Sequence, residues 1–202
     1  MNNGGVRIGF SEPYVAIYSH EGTTVSYANG QKMARGVSAN MTGRSGSDSK
    51  FYADNVEAES AAGKFTGGTL SLTVDGLSLE ADKLMRGLPV ATSLTVGSDT
   101  VQVYADNDDA DTPYVGVGYI EKWQYEGVQT YRPVVIYKCK LTTPDESAQT
   151  EAETTNWQTQ NLNFDVVRSD KEKRDWRLRG EHQDTEAAAL AVIKHVLNIT
   201  GA

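Results

Sequence analysis

Along much of the chain, apolar and polar positions alternate with the period of two that marks a strand with one buried face. Val37, Ala39 and Met41 alternate with Ser38, Asn40 and Thr42, which predicts a half-buried strand built from small side chains. Gly43-Arg44-Ser45-Gly46-Ser47-Asp48-Ser49 then supplies turn chemistry, because glycine frees the backbone and short polar side chains bond to it locally. From Lys50 to Lys64, Phe51 and Tyr52 are mixed with Asp54, Glu57 and Glu59. That stretch is too polar for a core strand and reads as a long excursion. Alternation resumes over Phe65 to Val74, with Leu70, Leu72 and Val74 on one face and Thr69, Ser71 and Thr73 on the other, the clearest strand in the chain.

The period then changes. Ala81, Leu84 and Met85 stand at helical spacing behind Ser78, a good N-cap, with Gly87 as the stop and Pro89 barring continuation; a short helix is predicted near 78–86. Three strands follow, Thr100 to Tyr104, Tyr114 to Trp123 and Gln129 to Leu141, the last two forming a hairpin around Glu126-Gly127. Thr142 to Thr155, with Pro144 and little to bury, reads as a loop or a loosely held edge. Leu162, Phe164 and Val166 alternate with Asn161, Asn163 and Asp165, and Trp176 and Leu178 mark a further strand. A C-terminal helix near 185–198 opens at Asp184 or Thr185 and carries Ala189, Leu190, Ile193, Val196 and Leu197 as its apolar stripe. Lys194 and His195 sit near its negative dipole end. Strands, short helix, strands, terminal helix predict a mainly β (α+β) fold, an antiparallel β-sandwich or barrel, and exclude alternating βαβ units.

Composition narrows the functions. A chain of 202 residues with 39% hydrophobic and 23% charged residues can bury a core as one domain. Its longest apolar run, Ala187 to Ile193, is too short to span a bilayer as a helix. Nineteen Lys+Arg against 27 Asp+Glu give a formal charge of -8, which opposes a general nucleic-acid-coating role. Cys139 is the only cysteine, so no intrachain disulfide can form.

Candidate chemistry is sparse. Asp106, Asp108, Asp109 and Asp111 crowd one loop and could offer calcium its oxygen ligands. Counted from Asp106, however, the glycine position holds Asp111 and the bidentate glutamate position holds Val117; a solvated acidic turn is expected. Tyr-Ala-Asp-Asn occurs at Tyr52 to Asn55 and again at Tyr104 to Asn107, read in both places as a strand closed by an Asp-Asn turn. Lys171, Lys173, Asp175, Arg177 and Arg179 would share one strand face, a solvated or partner-facing side that could meet phosphate beside Trp176. Cys139 is expected as a buried thiol alternating with Val135 and Tyr137. The histidines lack metal-ligand spacing, Gly-x-Ser-x-Gly is absent, and Gly63-Lys64-Phe65 is no phosphate loop. No catalytic, cofactor or metal site is expected.

Tyr52-Ala53-Asp54-Asn55 followed by Phe65-Thr66-Gly67-Gly68-Thr69-Leu70-Ser71-Leu72-Thr73-Val74-Asp75, within Ala34 to Glu80, resembles the major tail proteins of long-tailed bacteriophages, the tail tube subunits. The likeness continues in Pro113 to Tyr119, in Tyr131 to Lys140 and in the Trp176 strand before the last helix, and it rests on the order of motifs. It implies a β-sandwich with a flanking helix, spanning 1–202 as a single tail tube domain of minimal form. Within it the resemblance sets an N-terminal arm at 1–32, a long inter-ring loop at 43–64 and a surface loop at 142–156. It further implies six-fold rings stacked into a tube in the virion, assembled in the bacterial host cytoplasm, through which phage DNA passes without specific binding. Tail tip, tape measure and tail terminator proteins would be the other partners. Contact residues would be Arg44, Asp48, Lys50, Tyr52, Asp54, Glu57 and Glu59 of the long loop, with Arg177 and Arg179. The alternatives are a carbohydrate- or ligand-binding β-sandwich using Trp123, Tyr125, Trp157 and Trp176, and a hydrolase using paired carboxylates.

Overall fold

Glu126 and Gly127 both take positive φ, 47° and 81°, the backbone of a type I′ turn, whose twist matches that of a right-handed hairpin. That turn joins two long strands of the main sheet. In the computed structural model, which describes residues 5–88, 92–105, 108, 110–142, 150 and 157–199, the strands are β1 (Val6–Glu21), β2 (Thr24–Lys32), β3 (Gly36–Ser45), β4 (Ser49–Ala53), β5 (Val56–Ala61), β6 (Phe65–Val74), β7 (Thr92–Val96), β8 (Asp99–Val103), β9 (Tyr114–Tyr125), β10 (Val128–Leu141), β11 (Gln160–Val166) and β12 (Arg177–Arg179). The helices are α1 (Leu79–Arg86) and α2 (Glu186–Val196). The protein is mainly β and antiparallel: one sheet runs β2-β1-β9-β10-β11-β6-β3, with β12 also paired to β10. β4-β5 and β7-β8 are separate two-stranded sheets.

The sheet curls so that β6 and β11 face β1, β9 and β10. Val15, Leu70, Leu72, Val117, Ile136, Leu162 and Phe164, drawn from all five strands, meet in one buried cluster. α1 adds Ala81 and Met85 to it. Ser78 caps that helix by accepting from the Ala81 amide, and Gly87 ends it at φ 65°, as its sequence required. The opposite face of β1, β9 and β10 carries a second cluster, in which Ala16, Ile120, Val135 and Tyr137 pack against Ala189 and Ile193 of α2 and Leu197 at its C-cap. Thr185 caps α2 from the Ala188 amide. Three strands are therefore buried on both faces, while β6 and β11 keep the strict alternation of one-sided strands.

Glycine makes the helix seat possible. A Cβ on Gly118 would lie 2.4 Å from Ile193 Cγ2, and one on Gly116 2.4 Å from Tyr27 Cε1, so the Gly116-Val117-Gly118 run clears a groove for α2. Gly118→Ala would force the helix outward, and Gly116→Ala would press on the Tyr27 ring.

Three expectations need correction. Residues 6–32 are not an arm: β1 and β2 belong to the main sheet, and Tyr14-Val15-Ala16 is buried between the two clusters. Apolar side chains on both faces of β1, with pairing slips at Arg7/Gly9 and Ser11/Tyr14, erase the alternation that would have marked it. Cys139 does not share a face with Val135 and Tyr137. A bulge between Ile136 and Cys139 inserts a residue and turns Cys139 into the cluster of Val134 and Ile136. Val37 is exposed because β3 slips by one residue between Gly36 and Ser38.

On the loop after β11, Asp170 ties distant segments together. It accepts from Lys138 Nζ at 2.6 Å and from the Tyr18 hydroxyl at 2.8 Å, and His20 Nε2 lies 3.7 Å away. The Lys138 ammonium, and after it the Tyr18 hydroxyl, hold the carboxyl below its ordinary 3.8. A depressed carboxyl contributes stability that is complete above the unfolded value and lost as pH falls through the folded one. Asp170→Asn is therefore expected to lower the urea midpoint at neutral pH and to lose part of the decline seen on acidification, as urea titrations of both proteins between about pH 7 and about pH 3 would show.

Candidate functional site

Every residue of β4 and β5 is exposed, yet the segment is ordered into a hairpin. Asp54 and Asn55 both have positive φ, 50° and 62°, a conformation that Asp and Asn tolerate and that a two-residue hairpin turn needs. The first Tyr-Ala-Asp-Asn is thus a left-handed hairpin turn. In the second, Asp106 and Asn107 lie outside the described residues. The register Ala53↔Val56, Tyr52↔Glu57 and Phe51↔Glu59 sets Phe51, Ala53, Val56 and Glu59 on one face. Lys50, Tyr52 and Glu57 occupy the other, where Lys50 Nζ pairs with Glu57 at 2.7 Å. Phe51, Tyr52 and Val56 are 62%, 58% and 66% exposed. The base is pinned: Asp48 Oδ1 accepts from the Gly63 amide at 2.8 Å, and the Gly46 amide donates to Lys64 O at 2.9 Å. Arg44 lies just inside that base, paired with Gly67 across β3 and β6. The structure thus brings Asp48, Lys50, Tyr52, Asp54, Glu57 and Glu59 together on one hairpin, with Arg44 on β3 at its foot.

β7 and β8 form a second hairpin. β8 matches the expected Thr100 to Tyr104 strand, and β7 was missed because its five residues are a short signal beside masking Thr and Ser. Their register sets Leu94 opposite Val101, and Thr92 opposite Val103, with Val96 opposite Asp99. Leu94, Val96, Val101 and Val103 therefore share one face, and all are exposed. Just after β8, Tyr104 is held to α1 by Lys83 Nζ, 3.6 Å from its ring centre.

Arg177 and Arg179 lie elsewhere, on β12, opposite Ile136 and Val134. Lys171 and Lys173 do not join them. Residues 171–175 form a turn, closed by the Arg174 amide on Lys171 O at 2.8 Å with Arg174 at φ 54°, so the expected single basic strand face is corrected. Lys171 instead lies over the Tyr137 ring at 3.8 Å. Trp176 is half-buried, stacked on Phe65 at 4.1 Å with the Arg177 guanidinium 4.4 Å from its ring. Trp123 donates to Glu121 at 3.2 Å, and Trp157 is 87% exposed. Trp123 and Trp176 are thus engaged within the protein, while Tyr125 and Trp157 are exposed.

Of the acidic loop, Asp106 and Asp109 lie outside the described residues, and among the described ones no three His, Cys, Asp or Glu side chains converge as metal ligands. Asp108 is exposed, and the Asp111 carbonyl packs against Gly87. Cys139 is fully buried; its thiol donates to Val115 O at 3.4 Å, and burial pushes it far up from its ordinary value. No described helix is long and apolar enough to cross a membrane. Compared with models of protein families and with curated proteins, the chain matches none.

Proposed function

We propose that this protein is a structural subunit that assembles with copies of itself, in the manner of the phage tail tube proteins its motifs resemble. The observation that carries this reading is the β4-β5 hairpin: ordered, pinned at its base, and exposing Phe51 and Val56 on one face. Apolar side chains held out on an exposed hairpin gain free energy from burial only when a partner covers them. The unpaired outer edges of β2 and β3, which end the sheet path, are further joints, since a row of free backbone groups pairs with another strand. A ring of six copies, stacked into a tube with the acidic surface repelling DNA phosphates, is the assembly proposed, with the tail tip, tape measure and terminator proteins as its other partners. In this reading the protein is not an enzyme and works in the virion.

Electron microscopy of the purified protein at high concentration tests it. Six-fold rings or tubes are expected. A persistent monomer under all conditions, with saturable sugar binding, would replace this reading by the carbohydrate-binding one.

A further inference from the structure

Four arginines from three strands meet on the core-side face of the sheet, around a single carboxylate. Arg132 stands directly opposite Glu121 across β9 and β10, and Arg7 directly opposite Trp123 across β1 and β9. Arg177 and Arg179, opposite Ile136 and Val134, share their face. Glu121 is buried and pairs with Arg7 at 2.9 Å, while its other oxygen accepts from Trp123 Nε1. Arg132, Arg177 and Arg179 make no ion pair with any described residue, and Arg132 Nε is buried without a hydrogen-bond partner. A protein of charge -8 thus gathers four guanidiniums in one half-buried place, where among the described residues only Arg7 has an ion-pair partner, Glu121.

We propose that this cluster is a binding site for a phosphate-class oxyanion, held by Arg132, Arg177 and Arg179 beside the Glu121-Arg7 pair. The guanidinium fork fits tetrahedral and planar oxyanions with paired N–H donors. A multiply charged anion also balances more of the three guanidinium charges than one carboxylate would. Like-charged guanidiniums repel, and burial, Arg179 and Arg132 together pull Arg177 below its ordinary value; a bound anion relieves that cost. The inference is independent of the assembly reading.

The site carries its own reporters, because Trp123 bonds to Glu121 and Trp176 lies under Arg177. Trp157 is replaced by Phe to remove its background. Sodium phosphate is then titrated against sodium chloride at matched ionic strength, with tryptophan fluorescence and melting temperature as readouts. A saturable response to phosphate alone is expected, with stabilisation that grows with ligand concentration. Arg132→Gln and Arg179→Gln should each weaken it roughly tenfold or more, and Lys173→Gln, on the neighbouring turn, should not. Arg179 is exposed, so its variant keeps the test decisive if Arg132→Gln does not fold. A short single-stranded oligonucleotide forms the second arm; tighter binding through the same arginines supports the site and makes a nucleic-acid backbone its source. No saturable response, or a response the arginine variants leave unchanged, overturns the proposal.

Discussion

Removing residues 48–62 and joining Ser47 to Gly63 is expected to give a folded protein that no longer self-associates. Nothing in β4 or β5 contributes to either buried cluster. Gly46 and Gly63 already touch, since a Cβ on Gly63 would lie 1.8 Å from Gly46 O, so the new connection spans no gap. β3 and β6 would be joined by a short loop, and shortening a flexible connection costs little or slightly stabilises. The urea midpoint should move by no more than about 0.5 kcal/mol equivalent. Sedimentation velocity and electron microscopy should show monomers at concentrations where the full chain assembles. Tubes of full length from the excised protein would remove the hairpin from any role in assembly and leave the edge strands to account for it.

Phe164→Ala is expected to cause the largest loss of stability among single core truncations, roughly 3–5 kcal/mol. Phe164 is the largest fully buried side chain among the described residues. It stands opposite Leu70 on β6 and Leu141 on β10, at the place where the sheet passes from one leaf to the other. A void there removes contacts from both leaves together and cannot be filled by the shift of one strand. Urea denaturation measures the loss, and a cost below about 1 kcal/mol would mean that the leaves collapse onto the void.

Much of the architecture was legible because local rules and burial agreed. β6 and β11 bury one face, so Leu70, Leu72, Leu162 and Phe164 fall at every second position. Ser78, Gly87 and Thr185 bound their helices by capping chemistry that needs no tertiary information. β1 was hidden for the opposite reason. Covered on both faces and broken by slips around Glu12, which itself has φ 52°, it shows no period. The place of Cys139 depended on one bulge in β10 that composition does not mark. Of the candidate contacts, the hairpin residues were adjacent in sequence and so were found together. The arginine cluster was not. Arg7 stands 114 residues before Glu121, and Arg179 comes from a third strand beyond the hairpin that holds Glu121 and Arg132, so the group meets only through strand register; the only hint in the sequence was that Arg177 and Arg179 alternate.

The bulge that turns the lone thiol inward gives the protein a clock of its own. In the closed sheet the Cys139 sulfur is sealed between β9 and β11, and burial keeps it in the unreactive protonated form. A thiol reagent therefore reads only those moments when these central strands part. Its labelling rate at rising reagent concentration separates how often the core opens from how long it stays open, in free subunits and in any assembly alike, with no engineered probe.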